Sequence, residues 1–89
     1  MESFDCERQY HLSSGVTLRP EPFGALAYHF GQRRLTYLAS GELVAVLDQL
    51  SGGRSVTEAM TAAGIPAGTR PTVARALATL VERGVLDAV

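Results

Sequence analysis

The chain holds a single cysteine, Cys6, so no intramolecular disulfide can staple it, and a reducing cytoplasm is its expected setting. Its amino terminus lacks the apolar run of a signal peptide. No stretch approaches the roughly 20 apolar residues that a membrane span needs. A soluble cytoplasmic protein is the expectation. Positive charge is not in excess either: the net charge is −1 and the pI about 6.0. A dedicated nucleic-acid binder draws its affinity largely from phosphate neutralisation, so this balance argues against one.

Catalytic signatures are also missing. There is no nucleophile elbow, no phosphate-cradling loop and no C-x-x-C, and the carboxylates are dispersed. Cys6, His11 and His29 match no structural-zinc spacing, and a fourth ligand is not evident. Neither a metal, a cofactor nor an enzymatic activity is therefore expected. The glycines have local duties, Gly31 in a turn and Gly52, Gly64 and Gly84 after helices, and they suggest no cofactor loop.

What remains is a globular composition, 46% hydrophobic and 19% charged over 89 residues, which is one domain's worth of chain. Residues 1–13 lack periodicity and read as a partly ordered arm that can join a sheet near Tyr10 to Leu12, leaving residues 14–89 as the domain proper. From Val16 the pattern is two-fold: Val16 and Leu18 alternate with Thr17 and Arg19, and Pro20 and Pro22 are expected to end that strand.

The next segment alternates more strongly. Leu26, Tyr28 and Phe30 share one face of an extended chain, with Ala25, Ala27 and His29 on the other. Gly31-Gln32 suits a two-residue type II′ turn, and paired positions then sum to 63. Phe30 faces Arg33, Tyr28 faces Leu35 and Leu26 faces Tyr37. On the other face His29 pairs with Arg34, Ala27 with Thr36 and Ala25 with Leu38. The bulky apolar face is the one expected to be buried, leaving the small and polar face open.

The period then becomes helical. Ser40 can cap a helix carrying Leu43, Val44, Leu47 and Leu50, stopped at Gly52-Gly53. Ser55 and Glu58 form a capping box for a second helix with Val56, Ala59, Met60 and Ala63 on its buried stripe. Thr69 can cap a third, with Pro71 in its first turn. That helix carries Val73, Ala74, Leu77, Leu80 and Val81 on one side, and Val85 and Leu86 fold back on the core after Gly84.

Two functional readings follow. The second and third helices look like a helix-turn-helix, so a small DNA-binding regulator using Arg70, Thr72 and Arg75 is one of them. Against it, three arginines after residue 68 are opposed by Glu82 and Asp87, which is thin for phosphate contacts. In the other reading, a three-stranded sheet leaves an unpaired edge to which a peptide can add as a strand beside Leu35 to Leu38, with Arg75 and Thr79 walling the groove. A second copy can also use such an edge, giving a homodimer.

The order of strand, hairpin and three helices, with a V-L tail, resembles the PqqD-like peptide chaperones, the winged-helix recognition elements of ribosomal peptide natural-product pathways. Residues 18–38, LRPEPFGALAYHFGQRRLTYL, are similar to the signature of the mycofactocin precursor-peptide chaperones within that family, and the likeness covers residues 10–89. The resemblance implies an α+β, winged helix-turn-helix-like fold in which a three-stranded antiparallel sheet precedes three helices. It implies a non-catalytic chaperone that takes the leader of a precursor peptide as an extra strand and delivers it to a radical S-adenosylmethionine maturase. Carried onto this chain, the peptide site comprises Arg34, Leu35, Thr36, Tyr37 and Leu38, with Arg75, Ala76 and Thr79 opposite. The iron–sulfur cluster and S-adenosylmethionine belong to the maturase, so no cofactor, nucleic acid or membrane is implied for this chain.

Overall fold

The computed structural model describes residues 4–22, 24–38 and 40–89; Met1 to Ser3 of the arm and Phe23 of the signature lie outside them. The chain runs through β1 (Tyr10–Leu12), β2 (Val16–Glu21), β3 (Gly24–His29), β4 (Arg34–Leu38), α1 (Gly41–Leu50), α2 (Val56–Ala62), α3 (Arg70–Glu82) and β5 (Leu86–Ala88). The architecture is α+β, with two antiparallel sheets: β2-β3-β4, and a separate pair β1-β5. The strand near Tyr10 thus joins the carboxyl-terminal tail, with Tyr10 opposite Ala88 and Leu12 opposite Leu86.

The β3–β4 register follows the expected sum, from Ala25 opposite Leu38 to His29 opposite Arg34. The turn that sets it is different. The ladder closes at His29 and Arg34, leaving a four-residue loop in which Arg33 N–H donates to Phe30 O at 3.3 Å and Arg33 itself takes φ +50°. A type II′ turn requires the left-handed conformation at Gly31, which does not adopt it here. Gln32 N–H donates to His29 Nδ1 at 3.2 Å and braces the loop.

The larger correction concerns the faces. The buried side of the sheet is the small one, with Ala25, Ala27 and Leu38 only 1–2% exposed. Phe30, Leu35 and Tyr37 on the bulky side are 53–59% exposed, and Leu26 and Tyr28 are half-buried. Helix α1 packs on β3 and β4, and methyl-sized side chains let a helix lie close against a sheet, whereas a row of leucines and aromatics would hold it off. His29 is therefore on the covered side and half-buried.

Strand β2 also continues through Pro20 to Glu21. It lies at one edge of the sheet, where the missing proline N–H removes no ladder bond.

The helices follow their sequence signals with two differences. Ser40 Oγ accepts from Leu43 N–H, and the Ser55–Glu58 capping box is complete; its hydrogen bonds from Ser55 hold the Glu58 carboxyl below the usual range. Thr69 occupies the N-cap of α3, but its side chain makes no capping bond. Val46 joins Leu43, Leu47 and Leu50 in the buried set, while Val44 is only partly covered. Gly53, Gly64 and Gly84 take left-handed φ values, as the residue after a helix requires.

Residues 4–9 are tied to the domain. Arg8 O and Cys6 O accept from Val56 and Thr57 N–H, two amides at the start of α2. Phe4 stacks on buried Tyr10 with ring centroids 5.1 Å apart. The core is a single cluster built from Ala25, Ala27, Leu38, the three helical stripes, Ile65, Val85 and Leu86.

Candidate functional site

The three-stranded sheet has two edges, and they differ. Phe30 N–H donates to Gly15 O at 3.0 Å, which fixes the alternation along β3: its even-numbered residues turn their main-chain groups to β2 and its odd-numbered residues to β4. Arg34, Thr36 and Leu38 therefore complete the β3–β4 ladder, being opposite His29, Ala27 and Ala25. The main-chain groups of Leu35 and Tyr37 point to the open edge. On β2 the same alternation leaves Pro20, opposite Ala25, facing outward. Proline has no N–H to offer a new strand, so the β2 edge is blunted and the β4 edge is not.

Beside the β4 edge lies a cleft of about 520 Å³, lined by Leu35, Thr36, Tyr37, Leu38, Ser40, Leu43, Ala76, Thr79, Leu80 and Arg83. Six of the eight residues named from the sequence sit on it: Leu35 to Leu38, Ala76 and Thr79. Arg34 and Arg75 do not line it. Both are exposed, Arg34 directed by its ladder position to the covered face and Arg75 one residue before Ala76 on the helix. Sequence reasoning missed Ser40 and Leu43 at the start of α1, and Leu80 and Arg83 at the end of α3. Arg83 follows Ala76 by seven residues and Thr79 by four, so helical periodicity places it on the same stripe.

The cleft is apolar at its floor, where Leu38, Leu43 and Leu80 are buried. Thr36 Oγ1 is buried there without a hydrogen-bond partner among the described residues. Thr79 Oγ1 donates to Arg75 O at 3.2 Å, as helical threonines commonly do. On the outer face, Leu35 and Tyr37 continue into Leu26, Tyr28 and Phe30, where the last two rings meet edge to face at 4.8 Å. A strand added to β4 would send alternate side chains into the cleft and onto this outer row.

The helix-turn-helix residues are placed differently. Arg70 Nε donates to Ile65 O at 3.1 Å and ties the α2–α3 connection, whereas Thr72 and Arg75 are exposed. Among the described residues no three His, Cys, Asp or Glu side chains gather to hold a metal. Burial, then the Asp5 and Glu7 carboxylates, push the Cys6 thiol up and away from a reactive thiolate. No helix among the described residues is long and apolar enough to cross a membrane.

No solved structure matches the chain. It is 37% identical over 84 residues to the peptide chaperone MftB of Mycolicibacterium smegmatis, covering 94% of this chain and 82% of that protein. It is 44% identical over 63 residues to the peptide chaperone MftB of Mycobacterium ulcerans, covering 71% of this chain and 58% of the relative. The Mycobacterium tuberculosis protein of the same name is 42% identical over 62 residues, covering 70% of this chain and 57% of that protein. The family model of the peptide chaperone MftB family matches residues 9–87, which include β1 through the start of β5, and the chain belongs to that family.

Proposed function

We propose that this chain is a non-catalytic peptide chaperone. It binds the leader of a ribosomally made mycofactocin precursor peptide as a fourth strand on β4 and delivers it to a radical S-adenosylmethionine maturase, on a frame we read as winged-helix-like. One observation carries this reading. The β4 edge offers the free main-chain groups of Leu35 and Tyr37 beside an apolar cleft walled by α3, while Pro20 blunts the other edge. Strand addition draws affinity from such an edge and specificity from the pockets beside it. All three relatives are named as peptide chaperones, which supports this reading and lends nothing to a DNA-binding one. The iron–sulfur chemistry belongs to the maturase.

The test is an amide NMR titration of the labelled domain, with a mycofactocin precursor leader and separately with duplex DNA. Leader should shift Leu35, Tyr37, Thr79 and Arg83, and Tyr37→Pro should weaken binding by about tenfold or more, since it removes an edge N–H and adds a clash. Because that N–H faces away from β3, the circular dichroism spectrum should be retained. Shifts confined to Thr72 and Arg75 with DNA alone would overturn the proposal.

A further inference from the structure

The cleft is not electrically uniform along its length. Arg83 lines it near the carboxyl end of α3. That end abuts the β3–β4 loop, because a Cβ placed on Gly84 would stand 3.0 Å from Gln32 Nε2. Arg33 and Arg34 follow Gln32 directly, so the loop that meets this end of α3 carries two further arginines, although only Arg83 lines the cleft itself. All three are exposed, and among the described residues none of them makes an ion pair. The opposite end, where Leu38 meets Ser40 and Leu43, is lined by neutral side chains. In a chain whose net charge is −1, this is a local concentration of cations at one terminus of a strand-binding edge.

The kind of cation matters as well. The eight basic residues are all arginine, with no lysine anywhere in the sequence. A guanidinium presents a planar fork that matches a carboxylate with two parallel hydrogen bonds, whereas an ammonium acts as a point charge. From the cleft position of Arg83, the neighbouring loop residues Arg33 and Arg34, and the absence of an ion pair for any of them among the described residues, we infer that this end of the groove is a carboxylate-reading subsite. Its occupant is an acidic side chain, Asp or Glu, on the bound extended segment, set beside Arg34 and Leu35. Apolar side chains of the same segment lie toward Leu38 and Leu43. Arg83 is the specificity-determining residue, and Arg33 and Arg34 add the surrounding field. The inference rests on strand addition at β4 and adds to it a rule for the sequence that is bound.

The test selects binders from a displayed library of random 12-residue peptides, using the intact domain and its Arg83→Gln and Arg83→Glu variants. Arg83 is exposed, and both variants are checked by circular dichroism. The wild-type domain should enrich peptides with Asp or Glu at one fixed position relative to an apolar pair. Replacing that acid by Gln in a selected peptide should weaken binding roughly fivefold, the range of a partly exposed charge pair. Arg83→Gln should abolish the preference for an acid while keeping the apolar one, and Arg83→Glu should turn it toward Lys or Arg. Peptides that bind with no acidic preference, or one that survives Arg83→Glu, would overturn the carboxylate subsite and leave strand addition standing. A library yielding no peptide that shifts the Leu35 and Tyr37 amides would overturn strand addition, and the subsite with it.

Discussion

The two faces of the β2-β3-β4 sheet are made by the same strands, yet they carry opposite kinds of side chain in opposite kinds of surroundings. Ala25, Ala27 and Leu38 look inward and are almost completely covered by α1 and its neighbours. Leu35, Tyr37 and Phe30 look outward and are more than half exposed. Bulk is therefore not what marks the core here. The covered face is small because a helix lies on it, and the bulky face is a row of apolar surface continuous with an open strand edge. Isolated apolar residues on a surface need no explanation, but a contiguous set beside an unpaired edge is what a partner-binding surface looks like.

The contrast can be broken by substitution, beginning with the largest effect. Leu38→Ala removes a buried side chain from the covered face and should destabilise the domain by about 2–5 kcal/mol in urea unfolding, whereas Leu35→Ala should change it by only about 0.5 kcal/mol. Equal effects would mean that the two faces are equally covered. Next, Ala27→Leu should cost about 1–3 kcal/mol by overpacking against α1, although it makes the face more hydrophobic. A neutral result would show that α1 lies farther from β3 than the burial of Ala27 implies. The smallest effect is at Thr36, whose hydroxyl is buried without a partner. Thr36→Val keeps the branched shape, and its unfolding free energy from urea titration should be unchanged or raised by up to about 1 kcal/mol. A loss of that size would mean that the hydroxyl is hydrogen-bonded in solution.

Much of the fold was legible because its signals are local. The capping box at Ser55 and Glu58, the cap at Ser40 and the glycines after each helix need only a few adjacent residues to act. The β3–β4 register was readable for a related reason. A turn and an alternating pattern constrain each other, and the pairing came out as the arithmetic required even though the loop closed with Arg33, not Gly31, in the left-handed region. Thr69 shows the limit of such reasoning: it holds the cap position, but its hydroxyl makes no bond there. The cleft was half legible. Leu35 to Leu38 and Thr79 follow from the open strand edge and the helix facing it, Ala76 follows from the family resemblance, and Ser40 and Leu43 enter only because α1 begins beside the end of β4.

By itself the sequence determined which residues share a face, where each helix starts and stops, and which strand partners which in the hairpin. Each of these is set by neighbours within a few positions or by a period of 2 or 3.6. Tertiary structure alone decided which of the two sheet faces meets α1, that β1 pairs with β5 and not with the main sheet, and that Ser40 and Leu43 join the cleft. Those choices depend on how closely elements distant in the chain can approach one another, and a one-dimensional pattern carries no measure of that distance.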